Sequence, residues 1–313
     1  MNQIIFFMLG LIGLLAGAEL ITRASLGLSH RFRLSEGFIG LVVLSLGTSL
    51  PEIVVTIAGA LEKRAGIDTS GIIIGNIIGS SMGNMALILG ITGLLGGTIA
   101  VYKREIWIQG ISLVSSTLAF LVFAQDGRIT RQEGLILMAG YVLYFIFAQK
   151  LNKSVSATKA KKRKGLGKLL FQLMFGLIII AQSSEWVITS GIGLAIQLGI
   201  NQVVIGAILV GIGTSLPELV VSINAFVKGA KELSVGNLLG SNVVNVLLAL
   251  GGGAVISEWE IDRRVATFDL PFLLFSMVVV ILFMLSRKKF ERKESFLMVC
   301  LFVVYVSLKL MGW

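Results

Sequence analysis

The chain has 313 residues, 55% of them hydrophobic and only 14% charged, with a formal net charge of +10 and a mean hydropathy of +0.92. Ordinary soluble domains carry about 25% charged residues, so a soluble enzyme is excluded. Apolar runs that recur end to end without alternation exclude a single-anchor protein and a membrane β-barrel.

Ten apolar runs are predicted as membrane helices: 3–29, 35–61, 70–99, 105–125, 131–150, 168–197, 200–227, 233–256, 265–286 and 295–312. The first resembles a secretory leader, with Ala16-Gly17-Ala18 as a cleavage site. It lacks the positive leading region of such a leader, because no Lys or Arg precedes Arg23. It is therefore expected to be the first membrane helix, and it carries Glu19. The second run contains "GTSLPE" (Gly47 to Glu52), and the third contains "GNIIGSSMGN" from Gly75 to Asn84. The polar segment 151–167 follows the fifth run. It separates a first half, 1–150, from a second half, 168–313, and is expected to be a basic cytoplasmic linker. The sixth run carries Glu185, the seventh a second "GTSLPE" (Gly213 to Glu218), and the eighth "GNLLGSNVVN" from Gly236 to Asn245.

The basic residues sit between the runs, so the net charge points to membrane topology rather than to nucleic acid. With the linker inside, the inner loops hold Arg31 and Arg33, Lys103 and Arg104, eight Lys or Arg from Lys150 to Lys168, Lys228 and Lys231, and five from Arg287 to Lys293. The outer loops hold Lys63, Arg64, Arg128, Arg131, Arg263 and Arg264. This bias predicts both termini outside. Cys300 and His30 are each the sole residue of their type, which leaves no disulfide framework, no thiolate metal site and no multi-histidine centre.

The central feature is a repeat. "FIGLVVLSLGTSLPEIVVTI" from Phe38 matches "VIGAILVGIGTSLPELVVSI" from Val204 at an offset of 166, which also links Glu19 to Glu185. The "GN" motifs match at an offset of 161, the shift falling in the intervening loop. Five runs per half is an odd number, so the halves would lie in the membrane in opposite orientation. That is the inverted repeat of many secondary transporters, with the site near the midplane between repeats. Close helix packing explains the glycines of these motifs. It does not explain a glutamate in the middle of an apolar span, which is expensive there and marks an ion pathway.

The motif chemistry is that of a hard cation site. Pro51 and Pro217 offer no N–H to the carbonyls of Gly47 and Gly213, which breaks the helix and frees backbone oxygens. Thr48 shares a helix face with Glu52, and Thr214 with Glu218. Asn76, Ser80 and Asn84 form one i, i+4, i+8 stripe, and Asn237, Ser241 and Asn245 a second. Two carboxylates among carbonyl, amide and hydroxyl oxygens suit Ca²⁺ or Na⁺ and not zinc or copper. For Asn76 and Asn237, direct ligation and bonding to the broken helices are both open. Two glutamates give a charge near −2, which one Ca²⁺ or two Na⁺ would neutralise.

These paired motifs resemble the cation/calcium exchanger superfamily, and most closely its prokaryotic sodium/calcium exchangers. The resemblance implies exchange of several Na⁺ for one Ca²⁺ at four sites between the repeats. It places the Ca²⁺ carboxylates at Glu52 and Glu218, with the carbonyls of Thr48 and Thr214. It assigns Na⁺ ligation to Ser45, Ser49 and Ser80 on one side and to Gly211, Ser215 and Ser241 on the other, with Asn84 and Asn245 lining the middle. Asparagine at 245, where potassium-dependent relatives carry aspartate, resembles the potassium-independent branch. Gly211 stands opposite Ser45 and removes one hydroxyl. Glu19 and Glu185 fall on long first spans and are expected near the ion entrance.

The expected activity is thus Na⁺/Ca²⁺ antiport across the cell membrane, with Ca²⁺ and Na⁺ as substrates, no cofactor, no catalysis and no obligatory protein partner. A proton-coupled Ca²⁺ exchanger would use the same glutamates.

Overall fold

The structure is a computed structural model that describes residues 2–97, 99–100, 103–151, 165–197, 213–287 and 289–311. It is predominantly helical. We number its helices α1 (Asn2–Phe32), α2 (Glu36–Thr48), α3 (Leu50–Arg64), α4 (Ser70–Met82, continued to Gly96), α5 (Lys103–Phe123) and α6 (Arg131–Leu151). The second half supplies α7 (Leu166–Gln197), α8 (Leu216–Val227), α9 (Lys231–Val243, continued to Ile256), α10 (Val265–Asp269 and Leu270–Arg287) and α11 (Arg292–Leu310). Most of the linker and the first part of the predicted seventh span lie outside the described residues.

Among the described residues six helices are long and apolar enough to cross a membrane, and α2 with α3 makes a seventh if that bent pair is one span. The bend is 45°, and its cause is local. Pro51 occupies the first turn of α3, where a missing N–H costs nothing. The same proline would break a continuous helix. Ser35 caps α2 by accepting the Phe38 N–H at 3.0 Å. Gly66, at φ +97, turns the chain out of α3 in a conformation that disfavours side chains.

Burial separates central from peripheral helices. The apolar windows of α4 and α9 are 72% and 78% buried, whereas those of α1 and α7 are only 28% buried. A lipid-facing helix keeps its apolar residues exposed to the bilayer, so α4 and α9 form the centre. At 31 and 32 residues, α1 and α7 are each about 46–48 Å long, well beyond the roughly 30 Å hydrocarbon layer. They pack on each other with Gly17 and Gly176 in mutual backbone contact. Leu14, Ile21, Leu169 and Ile180 of this pair share a buried cluster with Ile39 and Leu44 of α2 and Val221 of α8.

The crossing of α2 and α9 is a close one. A Cβ on Gly40 would strike the Leu233 carbonyl, and one on Gly236 the Gly37 carbonyl. Only glycine allows this approach, and it brings the end of α2 against the polar stripe of α9.

Two short antiparallel pairings tie loops across the halves. Ile99–Ala100 pairs with Lys289–Phe290, and Arg128–Ile129 with Trp259–Glu260.

Candidate functional site: a buried oxygen cluster

Glu52 and Glu218 are both 0% exposed. Each sits in the first turn of the helix that follows a break, and the breaks are alike: Ser49 has φ −85°, ψ 7° and Ser215 has φ −88°, ψ 6°. Ser45, Thr48, Ser49, Ser80, Asn84, Ser215, Ser241 and Asn245 are also buried, while Thr214 is partly exposed. Gly211 lies outside the described residues.

Hydrogen bonds knit these residues across the halves. Ser49 Oγ donates to Glu218 Oε1 at 3.1 Å, and Ser241 Oγ donates to the same oxygen at 3.3 Å. Ser80 Oγ donates to Glu52 Oε1 at 3.4 Å while accepting from Ser215 Oγ at 2.9 Å and Asn245 Nδ2 at 3.2 Å. Each glutamate is thus linked, directly or through one serine, to groups from both halves.

Among the described residues, buried side-chain oxygens in this network or one turn beyond it that have no hydrogen-bond partner include Glu52 Oε2, Glu218 Oε2, Asn84 Oδ1, Asn245 Oδ1 and Thr56 Oγ1. A buried acceptor without a donor carries its full desolvation penalty, about 1–3 kcal/mol and more for a charged group. No lysine or arginine among the described residues pairs with either glutamate. Among these residues no three of Asp, Glu, His and Cys converge either. The fixed charge is therefore carried by Glu52 and Glu218 within a shell of neutral oxygens. Such an arrangement suits a hard cation, since oxygen ligands and charge neutralisation are both supplied.

Asn76 and Asn237 are engaged with the breaks. Thr48 Oγ1 donates to Asn237 Oδ1, and Thr214 Oγ1 donates to Asn76 Oδ1, each at 3.1 Å. Asn237 Nδ2 also donates to Ser222 Oγ at 3.1 Å, so both ends of that amide are used by the protein. Asn76 Nδ2 has no partner among the described residues.

Glu19 and Glu185 stand apart from the cluster. Glu19 pairs with Arg23 and with Lys228, whose Nζ is 2.5 Å away. Glu185 Oε2 accepts from Gln182 Nε2 on its own helix at 3.3 Å.

Two features were not read from the sequence. Asn84 and Asn245 lie in π-helical turns, Gly83–Ile88 and Val244–Leu250, which widen α4 and α9 at the site. Such turns are frequent at functional sites. The buried Asp269 is the second feature. It accepts from Tyr305 Oη and pairs with Lys309 Nζ, both at 2.8 Å, which ties α10 to α11.

A family described as "Sodium/calcium exchanger protein" matches residues 2–150 and 168–311. The chain is 26% identical over 347 residues to the sodium/calcium exchanger MaX1 of Methanosarcina acetivorans, covering 96% of this chain and 97% of that protein. It is 29% identical over 285 residues to the inner membrane protein YrbG of Escherichia coli, covering 86% and 85%. Its fold is similar to that of the sodium-calcium exchanger NCX_Mj, with a TM-score of 0.84 and 27% identity over 97% of this chain and 98% of that one.

Proposed function

The chain belongs to the sodium/calcium exchanger protein family, and from this premise we propose that it exchanges Na⁺ for Ca²⁺ by alternating access between two oppositely oriented halves, 1–150 and 168–313. Its relatives are membrane exchangers and not enzymes. The observation that supports this reading most is the pair of fully buried glutamates, Glu52 and Glu218, each with one oxygen that has no donor among the described residues, together with the donorless amide oxygens of Asn84 and Asn245.

In this reading Glu52 and Glu218 bind Ca²⁺ together with the carbonyls of Thr48 and Thr214. Ser45, Ser49 and Ser80, and on the other side Gly211, Ser215 and Ser241, serve Na⁺, with Asn84 and Asn245 between them. Asn76, Asn237, Gly47 and Gly213 support the breaks. The empty site carries a charge near −2. One Ca²⁺ or two Na⁺ at the glutamates cancels it, so the two ions compete.

Coupling follows from the cost of the empty state. Two carboxylates without counter-ions are expensive to occlude in a low-dielectric interior, by several kcal/mol per charge. Crossing without cargo is thereby suppressed, and flux in one direction requires an ion to return. No resident cofactor is needed. The loop charges support placing both termini outside the cell membrane, with Glu19 and Glu185 flanking the path.

The test is ⁴⁵Ca²⁺ uptake into liposomes of the purified protein, preloaded with Na⁺ or choline at equal pH, with Glu52→Gln and Glu218→Gln beside the wild type. Uptake confined to Na⁺-loaded vesicles and lost in both variants is expected. Equal uptake from choline vesicles would overturn the reading, and dependence on a pH gradient would replace Na⁺ with H⁺.

A further inference from the structure

The Glu19 cluster is asymmetric in a way that the sequence repeat makes measurable. Glu19 on α1 is held at the end of α8 by Lys228 Nζ at 2.5 Å and by Asn224 Nδ2 at 3.4 Å, and by Arg23 one turn along its own helix. The offset of 166 converts Glu19 to Glu185, Arg23 to Thr189, Asn224 to Ala58 and Lys228 to Glu62. Every partner of the carboxylate is lost in the other half, and the principal one reverses its charge. Among the described residues Glu185 has no basic partner, and Thr189 Oγ1 turns back to the Glu185 carbonyl at 2.7 Å.

Packing carries the same asymmetry. Among the described residues α1 lies along α8, while α7 makes no comparable contact with its equivalent, α3. The α1–α7 pair is therefore engaged with the core at the Lys228 end and disengaged at the Glu62 end.

In an exchanger built from two inverted halves, the two end states differ by exchanging the roles of the halves. What α1 does against α8 in one state, α7 does against α3 in the other. A perfect repeat would make the two states equal in free energy. Here the present state has a carboxylate–ammonium pair, and the exchanged state would set Glu185 against Glu62. Neighbouring cations do not repair this. Lys63 is already bound to Ser70, Asp68 and Glu260 at 2.6, 3.4 and 3.3 Å. Arg64 is two residues from Glu62, a spacing that faces away around a helix.

We propose that Glu19 and Lys228 form a one-sided latch that biases the resting equilibrium toward the state closed at the Lys228 end. The proposal rests on the alternating-access reading above. The loop charges put Lys228 inside, so the favoured state is open to the outside. An ion pair of this exposure, with side chains 30% and 28% accessible, shifts a two-state ratio by about fivefold.

The test uses spin labels at Leu15→Cys on α1 and Val142→Cys on α6, in a Cys300→Ser background of the full chain in lipid nanodiscs without Ca²⁺ or Na⁺. Both label sites are more than half exposed. Pulsed electron resonance then reads the distance populations. Lys228→Glu should lower the ratio of the main population to the second by at least about fivefold, with Lys228→Gln intermediate. Adding Glu62→Lys, which gives Glu185 a partner, should shift the ratio further in the same direction. Glu62→Lys alone removes no contact and should also move it. An unchanged distribution in Lys228→Glu, or no additional shift from Glu62→Lys, overturns the latch. The distances do not depend on transport, so failure of Na⁺-driven uptake in the wild type would condemn the exchange reading separately.

Discussion

The Ser49 hydroxyl donates to Glu218 Oε1 at 3.1 Å, so the helix break of one half supports the carboxylate of the other. Ser241 supplies the second bond to the same oxygen. A hydrogen bond to a charged acceptor contributes about 1.5–3 kcal/mol, and each 1.4 kcal/mol is about tenfold in affinity. Ser49→Ala should therefore weaken apparent Ca²⁺ affinity by roughly tenfold or more. Ser49→Thr, which keeps the hydroxyl, should lose less. Titration of ⁴⁵Ca²⁺ uptake against external Ca²⁺ checks this. Equal affinities for Ser49→Ala and wild type would show that the bond does not position Glu218.

Much of this arrangement was legible in the sequence, and the reasons are specific. Apolar runs mark helices because the bilayer forces every backbone group into internal bonds, and the predicted runs that fall within the described residues are helical. Pro51 announced the break at Thr48 and Ser49, since its ring and missing N–H disrupt a continuous helix. The partner of Thr48 was not legible. Asn237 is 189 positions away, and nothing in either motif says that α2 and α9 cross at Gly40 and Gly236. The π-turns at Asn84 and Asn245 were hidden as well, because one extra residue per turn leaves no compositional trace in an apolar run. Asp269 and Lys309 are single charges within apolar stretches of the sequence, and the packing of α10 on α11 pairs them.

Asn237 and Asn76 should differ in their structural weight. Among the described residues, replacing Asn237 with Leu removes bonds to both Thr48 and Ser222, whereas the same change at Asn76 removes the bond to Thr214 alone. Each buried group left unpaired costs about 1–3 kcal/mol. Asn237→Leu should thus lower the Tm of the detergent-solubilised protein more than Asn76→Leu does. Thr48→Val beside Asn237→Leu should be less than additive, because both changes delete one shared bond. A larger effect at Asn76 in thermal unfolding would contradict the bonding pattern.

Asp269 and Lys309 provide a stability test remote from the cluster. The Asp269 side chain is 2% accessible and that of Lys309 is 41% accessible. Breaking a buried pair from one side strands a charge and costs about 3–5 kcal/mol when both partners are buried. With Lys309 partly exposed, a smaller loss of about 1–2 kcal/mol is expected for Lys309→Met. Adding Asp269→Leu removes the stranded carboxylate and should recover most of that loss. Thermal unfolding of the three variants decides it, and a double variant less stable than Lys309→Met would show that Tyr305 depends on the carboxylate more than on the ion pair.

Asn245 sets the charge of the cluster, and changing it should change which ions are required. Its Nδ2 donates to Ser80 Oγ at 3.2 Å, while its Oδ1 has no donor among the described residues. Asn245→Asp keeps the shape, turns that donor into an acceptor and takes the fixed charge from near −2 to near −3. Ca²⁺ would then leave about one negative charge uncompensated in a site that lacks a basic partner. At an effective dielectric of 20, a unit charge about 4 Å from an opposite charge gains about 4 kcal/mol. A monovalent cation bound beside Ca²⁺ would therefore be strongly favoured. Ca²⁺ uptake by Asn245→Asp should become dependent on added K⁺ or on acid, where wild-type uptake needs neither. The measurement is uptake at fixed Na⁺ gradient with K⁺ or choline on both sides, across pH 6 to about 8. An Asn245→Asp protein that transports as wild type in choline at every pH would mean that residue 245 lies outside the field of Glu52 and Glu218.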